Sequence, residues 1–272
     1  MLIKLGKFDC TEVWDGVLYK NLPHYPRASD WELRNIIEFI EYEEAHGRKC
    51  MIECDDQNLL KTICNALRNE EYYRVVPRPA LQTECTACPY RKGCMTEFVC
   101  HTTSPENAEK IMESGKLLSA VKARGVPVAE LMAESRNAAN DPADYFEYVM
   151  LAWGNCQAGD RLVMERKLGR FPNEQDLSVD FTPGVRFYFR YDELENHPGR
   201  VFDGVLPMKI KDEIDLNKWM YAMIVPMALK QDLENKIPDN LKSRVIYVNN
   251  DCKDIWDWSE KVYRVIEQRK CE

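Results

Sequence analysis

Residues 84–120 read ECTACPYRKGCMTEFVCHTTSPENAEKIMESGKLLSA, and the rest of the chain is placed most easily by working outward from them. Phe98-Val99-Cys100 is a short apolar run of strand type that ends at His101. Ser104 then stands as an N-cap, Pro105 at the first helical position and Glu106 in the first turn, where a carboxylate suits the helix dipole. Ala108, Ile111 and Met112 recur on one face, and Gly115 supplies the stop. A strand, a polar turn and a capped helix follow one another, with a histidine where strand meets helix. That arrangement suits a polar or anionic ligand, because the first amides of a helix lack partners within it.

Immediately upstream, Cys85, Cys88, Cys94 and Cys100 give the spacing C-x2-C-x5-C-x5-C. Two thiolates separated by two residues can hold one tetrahedral Zn²⁺ from a tight turn, and the segment from Pro89 to Gly93 can bring the third ligand round. The fourth would be Cys100 or His101. An iron–sulfur cluster ranks behind zinc, and free thiols are the alternative to bound metal. Four protein ligands would make the metal structural, with no open position for chemistry.

On the N-terminal side, residues 1–80 read as a small α+β unit. Ser29 and Glu32 form a capping-box pattern, followed by Leu33, Ile36, Ile37 and Ile40 on one helical face and by Gly47 as a stop. Lys49 to Cys54 is strand-like, and Asp55 or Asp56 caps a second helix with Leu59, Leu60, Ile63, Cys64 and Leu67 as its stripe. Val75-Val76-Pro77-Arg78-Pro79 breaks the pattern and marks a boundary. On the C-terminal side, the pattern from about Val128 to Leu168 is expected to be helical, interrupted at Gly154 and Gly159. Gly184-Val-Arg-Phe-Tyr-Phe-Arg190 is the strongest strand. More strands are expected at Val205–Ile210, Met220–Val225 and Arg244–Val248. A last helix opens near Asp254 with Ile255, Trp258, Val262 and Ile266 as its seam, which makes Trp258 a core anchor. The expected fold is α+β: the N-terminal unit, then across 81–272 the cysteine cluster and a mixed, mainly antiparallel sheet flanked by helices.

A net charge of −8 over 272 residues argues against a general nucleic-acid coat. The longest apolar run, near Ala222 to Leu229, is well short of the ~20 residues of a membrane span. Eleven cysteines without a secretory signal read as reduced thiols in the cytosol.

The stretch from Phe98 to Ser119 resembles the opening motif of the ADP-ribosyltransferase superfamily, a strand ending in His-x-Thr and a helix of the form N-x-x-x-I-x-x-x-G-x-L. It is most similar to the DarT-type DNA ADP-ribosyltransferases and more distantly to RNA 2′-phosphotransferases. The resemblance implies NAD as cofactor, with His101 and Thr103 on the nicotinamide ribose. The strand Gly184 to Phe189 looks like the aromatic second strand of those families, which implies Tyr188 beside the nicotinamide ring. Arg124 is the first choice to neutralise phosphate charge, with Arg136, Arg161 and Arg166 as competitors. No motif marks the glutamate that the superfamily uses to stabilise its cationic transition state; Glu213 and Glu234 are positional candidates only. The physics agrees with the resemblance: a neutral imidazole both donates to and accepts from hydroxyls.

There is no G-x4-G-K-[ST] phosphate loop, G-x-G-x-x-G turn, G-x-S-x-G elbow or H-E-x-x-H helix. Cys100 and His101 are adjacent on a strand and therefore point to opposite faces, so they cannot act together. The run from Asp160 to Arg170 is locally basic, and Arg186 and Arg190 share a strand face. Both read first as solvated or paired charges, and second as a phosphate groove. The leading expectation is an NAD-dependent ADP-ribosyltransferase-like enzyme with a nucleic-acid or protein acceptor. The alternative is a non-catalytic, zinc-stabilised interaction protein.

Overall fold

The computed structural model describes residues 1–8, 11–14, 16–78, 96–134, 142–178 and 180–270. The first unit is built on a four-stranded sheet of β1 (Leu2–Gly6), β2 (Glu12–Trp14), β3 (Val17–Asn21) and β4 (Met51–Glu53), in the order β2-β3-β1-β4. β1 runs parallel to β3 and β4, and β2 pairs antiparallel with β3. Helices α1 (Asp30–Ala45) and α2 (Gln57–Leu67) and the short α3 (Glu70–Arg74) complete it. α1 begins where its capping box dictates: the Glu32 amide donates to Ser29 Oγ at 3.3 Å, and the Ser29 amide donates to the Glu32 carboxylate at 2.7 Å. Asp56 is the cap of α2, accepting from the Asn58 and Leu59 amides at 2.9 and 2.8 Å. Ile3, Leu5 and Leu18 alternate inward along their strands and meet Leu33, Ile36, Ile37 and Ile63 in one core.

The second sheet has seven strands in the order β13-β12-β8-β5-β7-β10-β9. These are β5 (Phe98–Thr103), β7 (Tyr148–Trp153), β8 (Val185–Arg190), β9 (Arg200–Val201), β10 (Met208–Lys211), β12 (Met220–Pro226) and β13 (Val245–Val248). β12 and β13 are parallel and the remaining neighbours antiparallel. A small antiparallel pair, β6 (Lys116–Leu118) with β11 (Glu213–Asp215), lies beside it. The fold is α+β.

Both faces of the large sheet are covered. One packs against α4 (Pro105–Ser114), the β6–β11 pair and the short helices α9 (Leu216–Trp219), α10 (Lys230–Leu233) and α11 (Asp239–Lys242), through Ala108, Met112, Leu117, Ile214, Leu216, Leu233 and Leu241. The other packs against α7 (Ala158–Leu168) and α12 (Ile255–Arg269) through Met164, Ile255, Trp258, Val262 and Ile266. This double coverage explains β8: Val185, Phe187 and Phe189 enter the first core and Tyr188 the second, so apolar side chains alternate onto both faces. Ser104 caps α4 and Gly115 closes it at φ +66°. Short helices α5 (Ala120–Arg124), α6 (Val128–Glu134) and α8 (Tyr191–Leu194) and a 3₁₀ turn at Ala143–Glu147 fill the connections.

One expected element is corrected. Within the span expected to be helical, Tyr148–Trp153 is a strand. Its sequence YVMLAW has no polar residue to set a period, because a central strand with covered faces carries no alternation for the eye to catch. Among the described residues no helix is long and apolar enough to cross a membrane.

The two sheets dock through α1. Arg48 bridges Glu43 and Asp144 at 2.6 Å each, and the Tyr42 hydroxyl donates to Asp144. Lys209 on β10 is buried against Asp203 at 2.6 Å, with Tyr42 and Tyr145 rings 4.4 and 3.6 Å from its ammonium. Gly204 (φ +72°) is needed there, since a Cβ would lie 2.0 Å from the Asn35 carbonyl oxygen.

Candidate functional site

The sheet opens at His101. The ladder between β5 and β8 continues from Phe98 opposite Arg190 to Thr103 opposite Val185, whereas that between β5 and β7 stops at Cys100 opposite Ala152. Beyond Cys100, β5 is therefore paired on one side only. The half-buried His101 side chain reaches across the resulting fork, with Nδ1 3.3 Å from the carbonyl oxygen of Met150 on β7.

That contact assigns the tautomer. A carbonyl only accepts, so the proton sits on Nδ1, and Nε2 keeps its lone pair. Nε2 makes no hydrogen bond among the described residues. Burial pushes the imidazole pKa below its ordinary value; the Met150 carbonyl works the other way, and the charge of Arg166 adds to the lowering. The ring is accordingly neutral at about pH 7. The charge that reaches it belongs to Arg166, an exposed residue of α7. The site can accept a hydrogen bond from a ligand hydroxyl while attracting a nearby anionic group.

Glycines bring α7 and β8 close to the end of β5. A Cβ on Gly159 would lie 2.6 Å from Thr102 Cβ, and one on Gly184 would lie 2.7 Å from the Thr103 carbonyl oxygen. At Gly159 the side chain of Thr102 fills the space a Cβ would need, and at Gly184 the backbone of β5 does. Asp160 then fastens the first turn of α7 to β8. Its carboxylate accepts from the Gly184 amide at 2.9 Å and from Arg186 Nε at 2.9 Å, and is also paired with Arg186 Nη2.

The residues expected at a nicotinamide site are not all neighbours. His101 and Thr103 share one face of β5, and Thr103 is buried. Tyr188 is opposite Cys100, on the other face, and is 0% exposed. Its hydroxyl donates to the Gly154 carbonyl at 3.0 Å and lies 3.3 Å from Arg186 Nη1, inside the second core. Tyr188 thus shares no surface with His101. Arg124 is exposed in the last turn of α5, and Arg136 lies outside the described residues. Arg166 is the arginine whose charge reaches His101. Glu213 is paired with Lys116 at 2.5 Å and Lys122 at 3.3 Å; Glu234 lies 3.8 Å from Lys230.

Cys85, Cys88 and Cys94 lie outside the described residues. Cys100 points away from His101, as strand alternation requires, into the core with Phe98 and Tyr188. Its sulfur is 3.6 Å from the Trp153 carbonyl oxygen, and burial pushes its pKa up to about 12. A thiol facing carbonyl oxygens in a dry core is a poor fit to a metal-bound thiolate, which needs the deprotonated form. Among the described residues no group of three or more His, Cys, Asp or Glu side chains is arranged to hold a metal ion.

Arg186, read from sequence as a surface charge, is 0% exposed and bound to Asp160, to Ser259 Oγ at 2.6 Å and to the Gly154 carbonyl at 3.4 Å. Asp160 is the partner that sequence reasoning missed: it opens a basic-looking helix, and nothing local links it to a strand residue so far along the chain. Arg190 caps the Tyr221 ring at 4.8 Å.

Comparison with known proteins finds no family model, no curated protein and no solved structure that matches the chain.

Proposed function

We propose that the chain is an NAD-dependent ADP-ribosyltransferase-like enzyme with a nucleic-acid or protein acceptor. The observation that carries this reading is the His101 imidazole. It is neutral, fixed through Nδ1 to the Met150 carbonyl, open at Nε2 and set in the field of Arg166, on the same strand–helix unit that resembles the superfamily. A ribose hydroxyl can donate to Nε2, and the NAD pyrophosphate suits the guanidinium of Arg166. Arg166 takes the place that the sequence gave to Arg124, and Tyr188, buried on the other face of the sheet, has no part in this reading. Bound NAD would supply the ADP-ribosyl group; His101 would orient the sugar, and the parted strands would admit it.

Isothermal titration calorimetry with NAD tests the reading on the parent and on His101→Ala and Arg166→Ala. The parent should bind, and each variant should lose on the order of tenfold in affinity, the worth of one polar contact. A parent protein that shows no heat with NAD removes this function.

A further inference from the structure

Met150, whose carbonyl holds Nδ1 of His101, lies in the half of β7 that β5 does not reach. Tyr148, Val149, Met150 and Leu151 pair with β10, whereas β5 meets β7 at Ala152 and Trp153. The 3₁₀ turn Ala143–Glu147 runs straight into that half, and it is tied to the N-terminal unit. Asp144 in the turn accepts from Arg48 at 2.6 Å and from the Tyr42 hydroxyl. Arg48 is itself paired with Glu43, which is 0% exposed. The strand on the far side of Met150 is gripped by the same helix end. Lys209, the register partner of Met150 on β10, is buried with its ammonium 4.4 Å from the Tyr42 ring and 3.6 Å from that of Tyr145. The ring of Tyr148, the first residue of β7, is 6.4 Å from that of Tyr42. One end of α1 therefore holds both strands that place the Met150 carbonyl.

We propose that Tyr42 and Asp144 are positioning residues for His101, acting through the Met150 carbonyl. The inference rests on the reading of His101 as the group that receives a ribose hydroxyl. With Asp144 bound to α1, the start of β7 is fixed relative to β5 although no ladder joins the two there, and the carbonyl oxygen stays 3.3 Å from Nδ1. Hydrogen bonds to a carboxylate are directional, so they hold the turn at one position rather than merely burying it. The Met150 contact in turn keeps the proton on Nδ1 and leaves the Nε2 lone pair to the ligand. Release of the turn lets β7 draw away from β5. The ring then loses the acceptor that fixes it, both neutral tautomers become populated, and the accepting nitrogen no longer faces one way. The N-terminal unit thereby has a part in the site without supplying a residue that touches the ligand.

The test reads the His101 ring of the full chain by ¹⁵N–¹H correlation with no ligand added. The parent should show Nδ1–H. Asp144→Ala leaves Arg48 paired with Glu43, so the N-terminal unit keeps its own ion pair, and the ring should move toward a mixture of the two tautomers. Tyr42→Phe, which removes a single hydroxyl, should move it the same way by less; should Asp144→Ala not fold, Tyr42→Phe carries the test alone. Asp56→Ala removes the N-cap of α2 and weakens the same unit away from the junction, and its ring signals should coincide with the parent's. In affinity for NAD, Asp144→Ala should lose up to about tenfold, and Asp144→Ala/His101→Ala should lose no more than His101→Ala alone, since both act on one contact. A ring unchanged in Asp144→Ala overturns the proposal. So does an equal shift in Asp56→Ala, which would make the ring a reporter of general loosening, and so do affinity losses that add. A parent that gives no heat with NAD removes the NAD reading and leaves the ring comparison to decide the positioning claim.

Discussion

Replacing Asp160 by Asn tests the junction that fastens α7 to β8. The substitution keeps size and shape, so no cavity opens, but it removes the single negative charge facing a guanidinium that is 0% exposed. Burial opposes the charge on Arg186; the Asp160 carboxylate, followed by the Tyr188 and Cys100 side chains, restores it and raises the pKa above the ordinary arginine value. In Asp160→Asn the guanidinium keeps only neutral partners: Ser259 Oγ, the Gly154 carbonyl and the Tyr188 hydroxyl. The Asn amide group also turns a donor toward donors. Breaking one side of a buried pair costs roughly 3–5 kcal/mol. At about 2–4 °C per kcal/mol for a chain of this size, the thermal midpoint should fall on the order of 10 °C. The double variant Asp160→Leu/Arg186→Met removes both charges and should recover most of that loss, because apolar replacements of a buried pair are often neutral or better. Scanning calorimetry on the parent, Asp160→Asn, Asp160→Leu, Arg186→Met and the double variant completes the cycle. A midpoint for Asp160→Asn within about 2 °C of the parent would falsify the claim that this pair is desolvated.

Other consequences follow from the same geometry. Because the folded His101 pKa is depressed, the unfolded chain binds the proton more readily. Its contribution to stability is therefore complete above about pH 6.5 and is lost as pH falls through the lowered folded value. The parent should accordingly lose stability below about pH 6.5 more steeply than His101→Gln, and equal slopes in urea titrations would contradict the burial of that ring. Arg166→Ala should raise the His101 pKa, since it deletes a positive charge that lowers it; an unchanged proton NMR titration would place Arg166 elsewhere. Gly159→Ala puts a methyl 2.6 Å from Thr102 Cβ, so helix or strand must shift to admit it. It should cost about 1–3 kcal/mol by overpacking and should weaken NAD binding as α7 shifts. A variant as stable as the parent would show that the helix and strand are not in close contact.

The legible parts of the fold were those with punctuation. Ser29 and Glu32, Ser104 and Pro105, Gly115 and Asp254 each announce a helix end through a local hydrogen bond or a backbone angle, and all are found in those roles. The seam of α12 was equally plain because a single apolar face repeats along it. β7 was not legible, since a strand covered on both faces has no alternation to separate it from a buried helix. At the site, His101 was visible because strand end and helix start bracket it. Tyr188 was misplaced for a reason of parity: register puts it opposite Cys100, and one residue along a strand decides the face. Asp160 was invisible because its meaning lies in a partner brought by tertiary packing.

Which nitrogen of the His101 imidazole is free is read directly by ¹⁵N–¹H correlation of the ring, in the parent with and without NAD. The expected spectrum shows the Nδ1–H tautomer at neutral pH, with Nε2 unprotonated and shifting on addition of NAD while Nδ1 holds its place. An Nε2–H tautomer, a protonated ring at neutral pH, or an Nε2 resonance indifferent to NAD would contradict the account.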